Sequence, residues 1–253
     1  MSESSIEKKF DSLTPTYPQD RLTLEHDPSD KTTRLMDIIT PIGRGQRCLL
    51  VSPPKAGKTT ILQKISKAVH ENEPGVQQVA LLINERPEEI TDFKRNTPAH
   101  VEHSSSDKGP ESHVKTADSV LKRAKKALVK DHDVLIMLDS ITRLARAYNL
   151  FSDSNGKTLS GGLDSSAMEK PRQFFGAARN VEGGGSLTII GTTLVETGSQ
   201  MDQVIFQEFK GTGNMELVLN RKFAEQRIYP AVSVSRSGTR KEEKLYNENE
   251  HKI

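Results

Sequence analysis

The rhythm of apolar positions changes along the chain, and the changes predict its elements. Residues 48–52, 79–83, 134–138 and 187–192 are apolar-rich runs that read as strands buried on both faces. Between them the spacing widens to a helical period. Ile61, Leu62, Ile65, Ala68 and Val69 share one side of a helix over 58–70, and Val114, Ala117, Val120, Leu121, Ala124 and Leu128 share one side of a helix over 111–129. Pro87 followed by Glu88 and Glu89 marks another helix start, because proline suits the first turn and acids suit its positive end. Buried strands alternating with amphipathic helices predict an α/β fold, a mostly parallel sheet with helices on both faces. Residues 1–40 are polar and interrupted by Pro15, Pro18 and Pro28, which predicts an N-terminal segment with short strands at most. Residues 41–245 then form the main domain and 246–253 a polar tail.

Composition narrows the chemistry. The 36 Lys and Arg against 34 Asp and Glu leave a net charge of +2, which excludes a uniformly basic nucleic-acid coat but allows a basic channel built from a few residues. The single cysteine, Cys48, excludes an intrachain disulfide and a cysteine-cluster metal site, and its apolar neighbours predict a buried small hydrophobe. The longest apolar runs are about five residues, whereas a membrane helix needs about 20. The N-terminus carries acids and no apolar stretch, unlike a signal peptide. The expected compartment is therefore the cytoplasm, with no membrane partner.

Three strand ends carry candidate chemistry. After the first strand comes Ser52-Pro53-Pro54-Lys55-Ala56-Gly57-Lys58-Thr59-Thr60. Gly57 lets backbone approach a phosphate, Lys58 reaches its terminal oxygens, Thr59 offers a hydroxyl to Mg²⁺, and the helix that follows points its positive end at the anion. A strict phosphate-loop pattern begins with glycine where this chain has Ser52. Asp139 follows the strand at 134–138 and suits the Mg²⁺ side; Glu85 follows the strand at 79–83 and suits the orientation of an attacking water. Residues 149–164 have no apolar period but contain Gly156, Lys157, Gly161 and Gly162, the composition of a loop that could grip a phosphate backbone. Residues 196–200 follow the fourth strand. Arg221, Arg227, Arg236 and Arg240 are all candidates for a transition-state arginine, and spacing does not choose among them.

The motifs themselves resemble a known family. Pro41-Ile42-Gly43-Arg44-Gly45-Gln46-Arg47 looks like a feature shared by hexameric RecA-like P-loop ATPases, which include the rotary ATP synthase subunits and the transcription terminator Rho. The phosphate loop, Glu85-Arg86-Pro87-Glu88-Glu89, Leu138-Asp139-Ser140-Ile141-Thr142-Arg143-Leu144-Ala145-Arg146-Ala147-Tyr148-Asn149, Phe174-Phe175-Gly176-Ala177-Ala178-Arg179-Asn180, Phe209-Lys210-Gly211-Thr212-Gly213-Asn214-Met215-Glu216-Leu217 and Ser237-Gly238-Thr239-Arg240-Lys241-Glu242-Glu243 resemble the Rho family over about residues 10–245. The resemblance implies a homohexameric, RNA-dependent ATPase and helicase that draws single-stranded RNA through its pore and meets RNA polymerase indirectly. It implies ATP and Mg²⁺ as bound groups. Lys55, Ala56, Gly57, Lys58, Thr59 and Thr60 would hold phosphate, with Thr59 and Asp139 on the metal. Glu85 would activate water, Arg86 would line the nucleotide site, and Tyr229 would stack on adenine. Gly43, Arg44, Gly45, Gln46, Arg47 and Cys48 are grouped with the nucleotide-binding residues. Arg240 would be the arginine finger and Arg227 a second interface arginine. The loop with Lys157, Gly161 and Gly162 would be the first pore loop, and Thr197, Gly198, Ser199 and Gln200 the second.

The chain departs from the family's pattern in four places. Nothing in it corresponds to the N-terminal OB-fold that loads RNA, and it stops before the family's last helices. Gln200 stands where lysine is usual, and Asn84 replaces an aspartate. Two alternatives stay open: a non-catalytic nucleotide-binding ring protein, and a rotary-ATPase subunit, which matches residues 211–240 less well.

Overall fold

The computed structural model describes residues 3–151, 158–159, 162–164, 166–247 and 249–250. The first forty residues contain α1 (Glu3–Ser12), β1 (Pro15–Thr16), β2 (Gln19–Leu22) and α2 (Lys31–Ile39). The short strands expected there are present, and two helices that were not expected stand beside them. The apolar stripe of α1 is only Ile6 and Phe10, one turn apart, too short to read as a period; Phe10 is nonetheless buried, with the Arg179 guanidinium 3.8 Å and the Lys125 ammonium 4.7 Å from its ring centre. Asp30 caps α2 by accepting from the Thr32 amide at 2.9 Å.

The predicted elements then appear, each one or two residues longer or shifted at its ends, with further elements among them. The order is β3 (Ile42–Arg44), β4 (Arg47–Ser52), α3 (Lys58–Asn72), β5 (Gln77–Glu85), α4 (Pro87–Asn96), β6 (His100–Ser105), α5 (Pro110–Leu128), β7 (Val134–Asp139) and α6 (Ile141–Phe151). After β8 (Thr158–Leu159) and β9 (Leu163–Asp164) come α7 (Glu169–Gly176), β10 (Arg179–Val181), β11 (Ser186–Leu194), α8 (Gln200–Thr212), β12 (Met215–Val218), α9 (Arg221–Glu225) and β13 (Gly238–Thr239). The main sheet has the order β13-β12-β4-β11-β7-β5-β6, and every pairing from β12 to β6 is parallel. β13 pairs antiparallel with β12, while β10 joins β11 and carries β1.

Strand side chains alternate between two cores, as period-two geometry requires. Leu49, Val51, Leu81, Ile83, Ile136, Leu138, Leu187 and Ile189 pack against α5, α6, α7 and α8. Cys48, Leu50, Ala80, Leu82, Leu135, Met137 and Ile190 pack against α2, α3 and α4. Cys48 is the buried hydrophobe expected, and burial raises its thiol pKa. No helix among the described residues is long and apolar enough to cross a membrane.

Two predicted boundaries move. The polar loop expected from 149 starts later, since α6 continues to Phe151, and β8 pairs with β9 inside it. At the other end the tail folds back: the Tyr246 hydroxyl donates to the Ile38 carbonyl at 2.7 Å, and Arg21 pairs with Glu250 at 2.9 Å.

The turn from β3 to β4 explains one glycine. Gly45 has φ +84°, and a Cβ there would lie 2.1 Å from the Asn180 amide nitrogen and 2.5 Å from the Arg179 carbonyl carbon. Both are backbone atoms of β10, so they cannot swing aside. Gly45→Ala should destabilise the protein by about 1–3 kcal/mol or more, from overpacking and a left-handed φ together. A urea midpoint equal to the wild type's would show that β10 gives way freely.

Candidate functional site

The parallel sheet delivers the candidate residues to one place. β7 and β5 are neighbours in register at Asp139 and Leu82, so Glu85 at the end of β5 stands just beyond Asp139 at the end of β7. β11 lies between β7 and β4, with Gly191 level with Leu138 and Leu194 level with Ser52. The phosphate loop leaves β4 at Ser52 and turns into α3 through Lys55 at φ +64° and Gly57 at φ +96°. Lys58 opens α3 and points back at the strand ends.

There its ammonium hydrogen-bonds Asp139 and lies 3.2 Å from Glu85 Oε1. The carboxylates are nearly sealed, with side chains 6% exposed for Glu85 and 2% for Asp139, so their charges need partners. Two further groups supply them. Arg143 Nη1 sits 2.5 Å from Glu85 Oε1 and donates to the Asn84 carbonyl at 2.7 Å. The Thr192 hydroxyl donates to Asp139 Oδ1 at 2.8 Å. Burial works against the charged form of Lys58, but the Asp139 and Glu85 charges outweigh it and its pKa is raised. For Glu85, burial and a hydrogen bond with Glu89 raise the pKa, and Lys58 and Arg143 only partly oppose them.

Beside this cluster is a cavity of about 680 Å³, walled by the phosphate loop, by Tyr229, Pro230 and Ala231, and by Ser29, Lys31 and Thr32 at the head of α2. Lys55, Ala56, Gly57, Lys58, Thr59 and Thr60 all line it, and the Tyr229 ring lies 3.7 Å from where a Cβ on Gly57 would be. The carboxylates lie beneath Lys58 rather than in the cavity wall. Thr59 and Asp139 offer oxygen donors, and no cluster of three or more His, Cys, Asp or Glu among the described residues could hold a metal alone. That set fits Mg²⁺, which uses one or two protein oxygens and completes its shell with phosphate and water.

Other predicted residues lie elsewhere. Gly43, Arg44, Gly45, Gln46, Arg47 and Cys48 run from β3 through its turn into the start of β4, at the opposite end of that strand from the phosphate loop. Within the chain they do not line the phosphate-loop cavity, and their side chains and amides are engaged in packing and hydrogen bonds. Arg44 pairs with Glu73 at 2.7 Å and with Asp133; the Gly45 amide donates to Thr188 Oγ1; Gln46 and Arg47 bond Asn214; and Cys48 is core. Arg240 belongs to that same end, since Thr239 is level with Met215, Met215 is level with Cys48, and the Arg240 amide donates to the Asn214 carbonyl. Arg86 is exposed at the head of α4, and Arg227 is exposed with φ +59° two residues before Tyr229. Thr197, Gly198 and Ser199 form a turn after β11, and Gln200 is the exposed first residue of α8, with Ser199 as its cap. Gly162 has φ +80° in the turn between β8 and β9; Lys157 and Gly161 lie outside the described residues.

Sequence reading had not assigned roles to Arg143, Thr192 or the α2 residues. Arg143 lay inside a quoted motif, one turn past Asp139, but threonine in a strand reads simply as strand propensity.

Comparison with known proteins agrees with this geometry. A profile described as the ATP synthase alpha/beta family, nucleotide-binding domain, matches residues 32–239. The chain belongs to that family. It is 55% identical over 242 residues to transcription termination factor Rho of Streptomyces lividans, covering 96% of this chain and 34% of that protein. It is 54% identical over 244 residues to the Bacillus subtilis protein of the same name, covering 96% and 57%. The chain thus spans roughly a third to three-fifths of the length of these relatives. Among solved structures it superposes on a prototypical ATPase from the type III secretion system of pathogenic bacteria with TM-score 0.82 at 24% identity, covering 96% of this chain and 68% of that one. It also superposes on the assembled ATPase EscN from enteropathogenic E. coli, with TM-score 0.78 at 22% identity, covering 94% and 56%. Such identities speak for the fold, the RecA-like P-loop α/β core expected from the sequence.

Removing Lys58 should expose the cost of the buried carboxylates. Lys58→Met keeps the methylene packing but leaves Asp139 without its cation, so stability at neutral pH should fall by about 3 kcal/mol. The Glu85 pKa, already raised by burial, then rises further in the folded state, and a raised folded pKa stabilises at pH below it. The deficit should therefore shrink as pH falls from 7.5 toward 5.5. A deficit independent of pH in urea titrations would contradict this electrostatic account.

Proposed function

We propose that this chain is an ATP-hydrolysing motor domain of the Rho type, working as a homohexameric ring on single-stranded RNA and reaching RNA polymerase only through that RNA. The observation that carries the reading is the convergence of Lys58, Glu85 and Asp139 beside the cavity of the phosphate loop. The 52–55% identity to Rho proteins supports the choice of RNA over other substrates.

The geometry supports a role for each residue. Tyr229 faces the phosphate loop across the cavity and is placed to cover the base. Lys58, at the positive end of α3, would trade its carboxylate partners for the terminal phosphate oxygens. Thr59 and Asp139 would hold Mg²⁺, which neutralises phosphate charge when bound. Glu85 accepts a proton from water as the water oxygen bonds to the γ-phosphorus and the bond to the departing ADP oxygen breaks. A carboxyl held above its ordinary pKa is a stronger base than a free glutamate once ionised. Arg143 keeps that carboxylate charged and aimed.

Arg240 cannot serve its own phosphate loop. It sits level with the start of β4, and the five steps from Arg47 to Ser52, at about 3.3 Å each, put the loop about 17 Å away. Finger action would have to come from a neighbouring subunit, and Arg227, exposed near the cavity, would be a second arginine at the same boundary. Lys157, Gly161, Gly162 and Thr197–Gln200 would face RNA in the pore.

Two outcomes test this. Glu85→Gln should bind ATP as the wild type does while kcat falls about 10²- to 10⁴-fold, with steady-state ATPase measured with and without poly(C). Tight ATP binding without hydrolysis in the wild type would instead favour a non-catalytic ring protein. Separately, Arg240→Ala and Lys58→Ala chains, each inactive alone, should regain partial ATPase when mixed, because some interfaces then hold both residues. No recovery in verified mixed rings would count against a finger acting independently at each interface.

A further inference from the structure

The segment from Asn220 to Ala231 touches both the cavity and the loop proposed to meet RNA. Its amide at Asn220 donates to the Ala231 carbonyl at 2.7 Å, closing it into one unit, and Asn220 caps α9 through the Lys222 amide at 2.9 Å. The Ile228 amide donates to the Phe223 carbonyl at 2.8 Å, and the Tyr229 hydroxyl to the Ala224 carbonyl at 3.4 Å. Tyr229 at one end lies against the phosphate loop. Arg221 at the other end grips Glu196: its Nη2 donates to the Glu196 carbonyl at 3.0 Å, and its Nε lies 3.0 Å from Glu196 Oε2. That second contact is an ion pair without hydrogen-bond alignment, since Nε is buried and has no aligned acceptor.

Glu196 has φ +55°, a conformation that a glutamate adopts at a cost and keeps only where its surroundings hold it. It begins the turn that contains Thr197, Gly198 and Ser199. The grip also closes one side of a cavity of about 580 Å³ whose other walls are Pro54 and Lys55 of the phosphate loop, Thr197, and Ala224 and Glu225 of α9. Phosphate loop, turn and Tyr229 unit therefore meet around one pair of side chains.

We propose that Glu196 and Arg221 are positioning residues that tie the 196–200 turn to the Tyr229 unit, so that RNA held at the turn sets the nucleotide site for turnover. This rests on the RNA-dependent reading above. An ion pair this exposed adds little to stability, so its loss leaves the fold intact. Its effect belongs in the response to RNA.

The test measures steady-state ATPase with and without poly(C) for the wild-type chain, Glu196→Gln, Arg221→Gln and the double variant. The ratio of the two rates is the readout, because the folded fraction cancels from it. Each single variant should lower that ratio about fivefold or more while the RNA-free rate stays unchanged. The double variant should lose no more than the worse single, as for two residues acting through one contact. Unchanged ratios, additive losses, or a parallel fall in the RNA-free rate would each overturn the proposal. A wild-type chain that hydrolyses ATP but ignores poly(C) would overturn the RNA-dependent reading itself, and this proposal with it.

Discussion

Two carboxylates sealed at the ends of adjacent strands need cations, and the arrangement of the site follows from that need. Glu85 and Asp139 lie almost without solvent, where an unpaired charge costs several kcal/mol. Lys58 and Arg143 answer it from two directions, one at the start of α3 and the other on α6. For Lys58 to arrive, the chain must reverse between β4 and α3 within five residues, which the left-handed Lys55 and Gly57 make possible. The parallel order of β4, β11, β7 and β5 then brings all the strand ends to the same edge. A phosphate entering this site would compete with carboxylates for Lys58 rather than meet an idle cation. Phosphate binding is then an exchange of partners for Lys58.

The opposite edge of the sheet has a different task. Asn214 accepts from Gln46 and from the Arg47 amide through its side chain, and its carbonyl receives the Arg240 amide. Arg47 donates as well to the Thr212 and Ala178 carbonyls, so its guanidinium is spent on backbone. This knot fixes β13 against β12 and leaves the exposed Arg240 at the sheet's border. The residues of the Gly43–Cys48 stretch build that border rather than the cavity. On the proposed reading, one edge of the sheet holds the phosphate and the other presents Arg240 to a neighbouring subunit.

The physical scale of each signal decided what could be read from the sequence. Strands buried on both faces and helices with five or six apolar positions in period were legible, and so were the ends at which Lys58, Glu85 and Asp139 stand. Helix α1 was not, because two apolar residues make no period and Phe10 is held by cations from distant segments. Strand β6 was not, because His100-Val101-Glu102-His103-Ser104-Ser105 forms an edge with little to bury. The α2 wall of the cavity escaped for another reason: Ser29, Lys31 and Thr32 look like any polar turn, and Lys64, bonded to Asp30 at 2.6 Å and to the Thr32 hydroxyl at 3.0 Å from more than 30 residues away, ties them to α3. Contacts of that kind have no local pattern.

The turn after β11 shows how the charges around a proposed RNA contact are already committed. Glu196 is engaged by Arg221, and Asp202 is buried and shared by Arg146 Nη2 at 2.6 Å and the Thr197 hydroxyl at 2.6 Å. Arg146 is therefore held by an acid instead of free for phosphate. What the turn offers outward is Gln200, the Gly198 backbone and exposed polar groups, donors without net charge. Binding to single strands weakens with salt by a log–log slope of about 0.7 for each phosphate neutralised, and an uncharged donor contributes nothing to that slope. On the proposed reading, this turn contributes hydrogen-bond geometry and little electrostatic attraction. A contact of that type is strong only while its donors are held in place, which is why the clamp at its base matters more here than it would with a lysine at position 200.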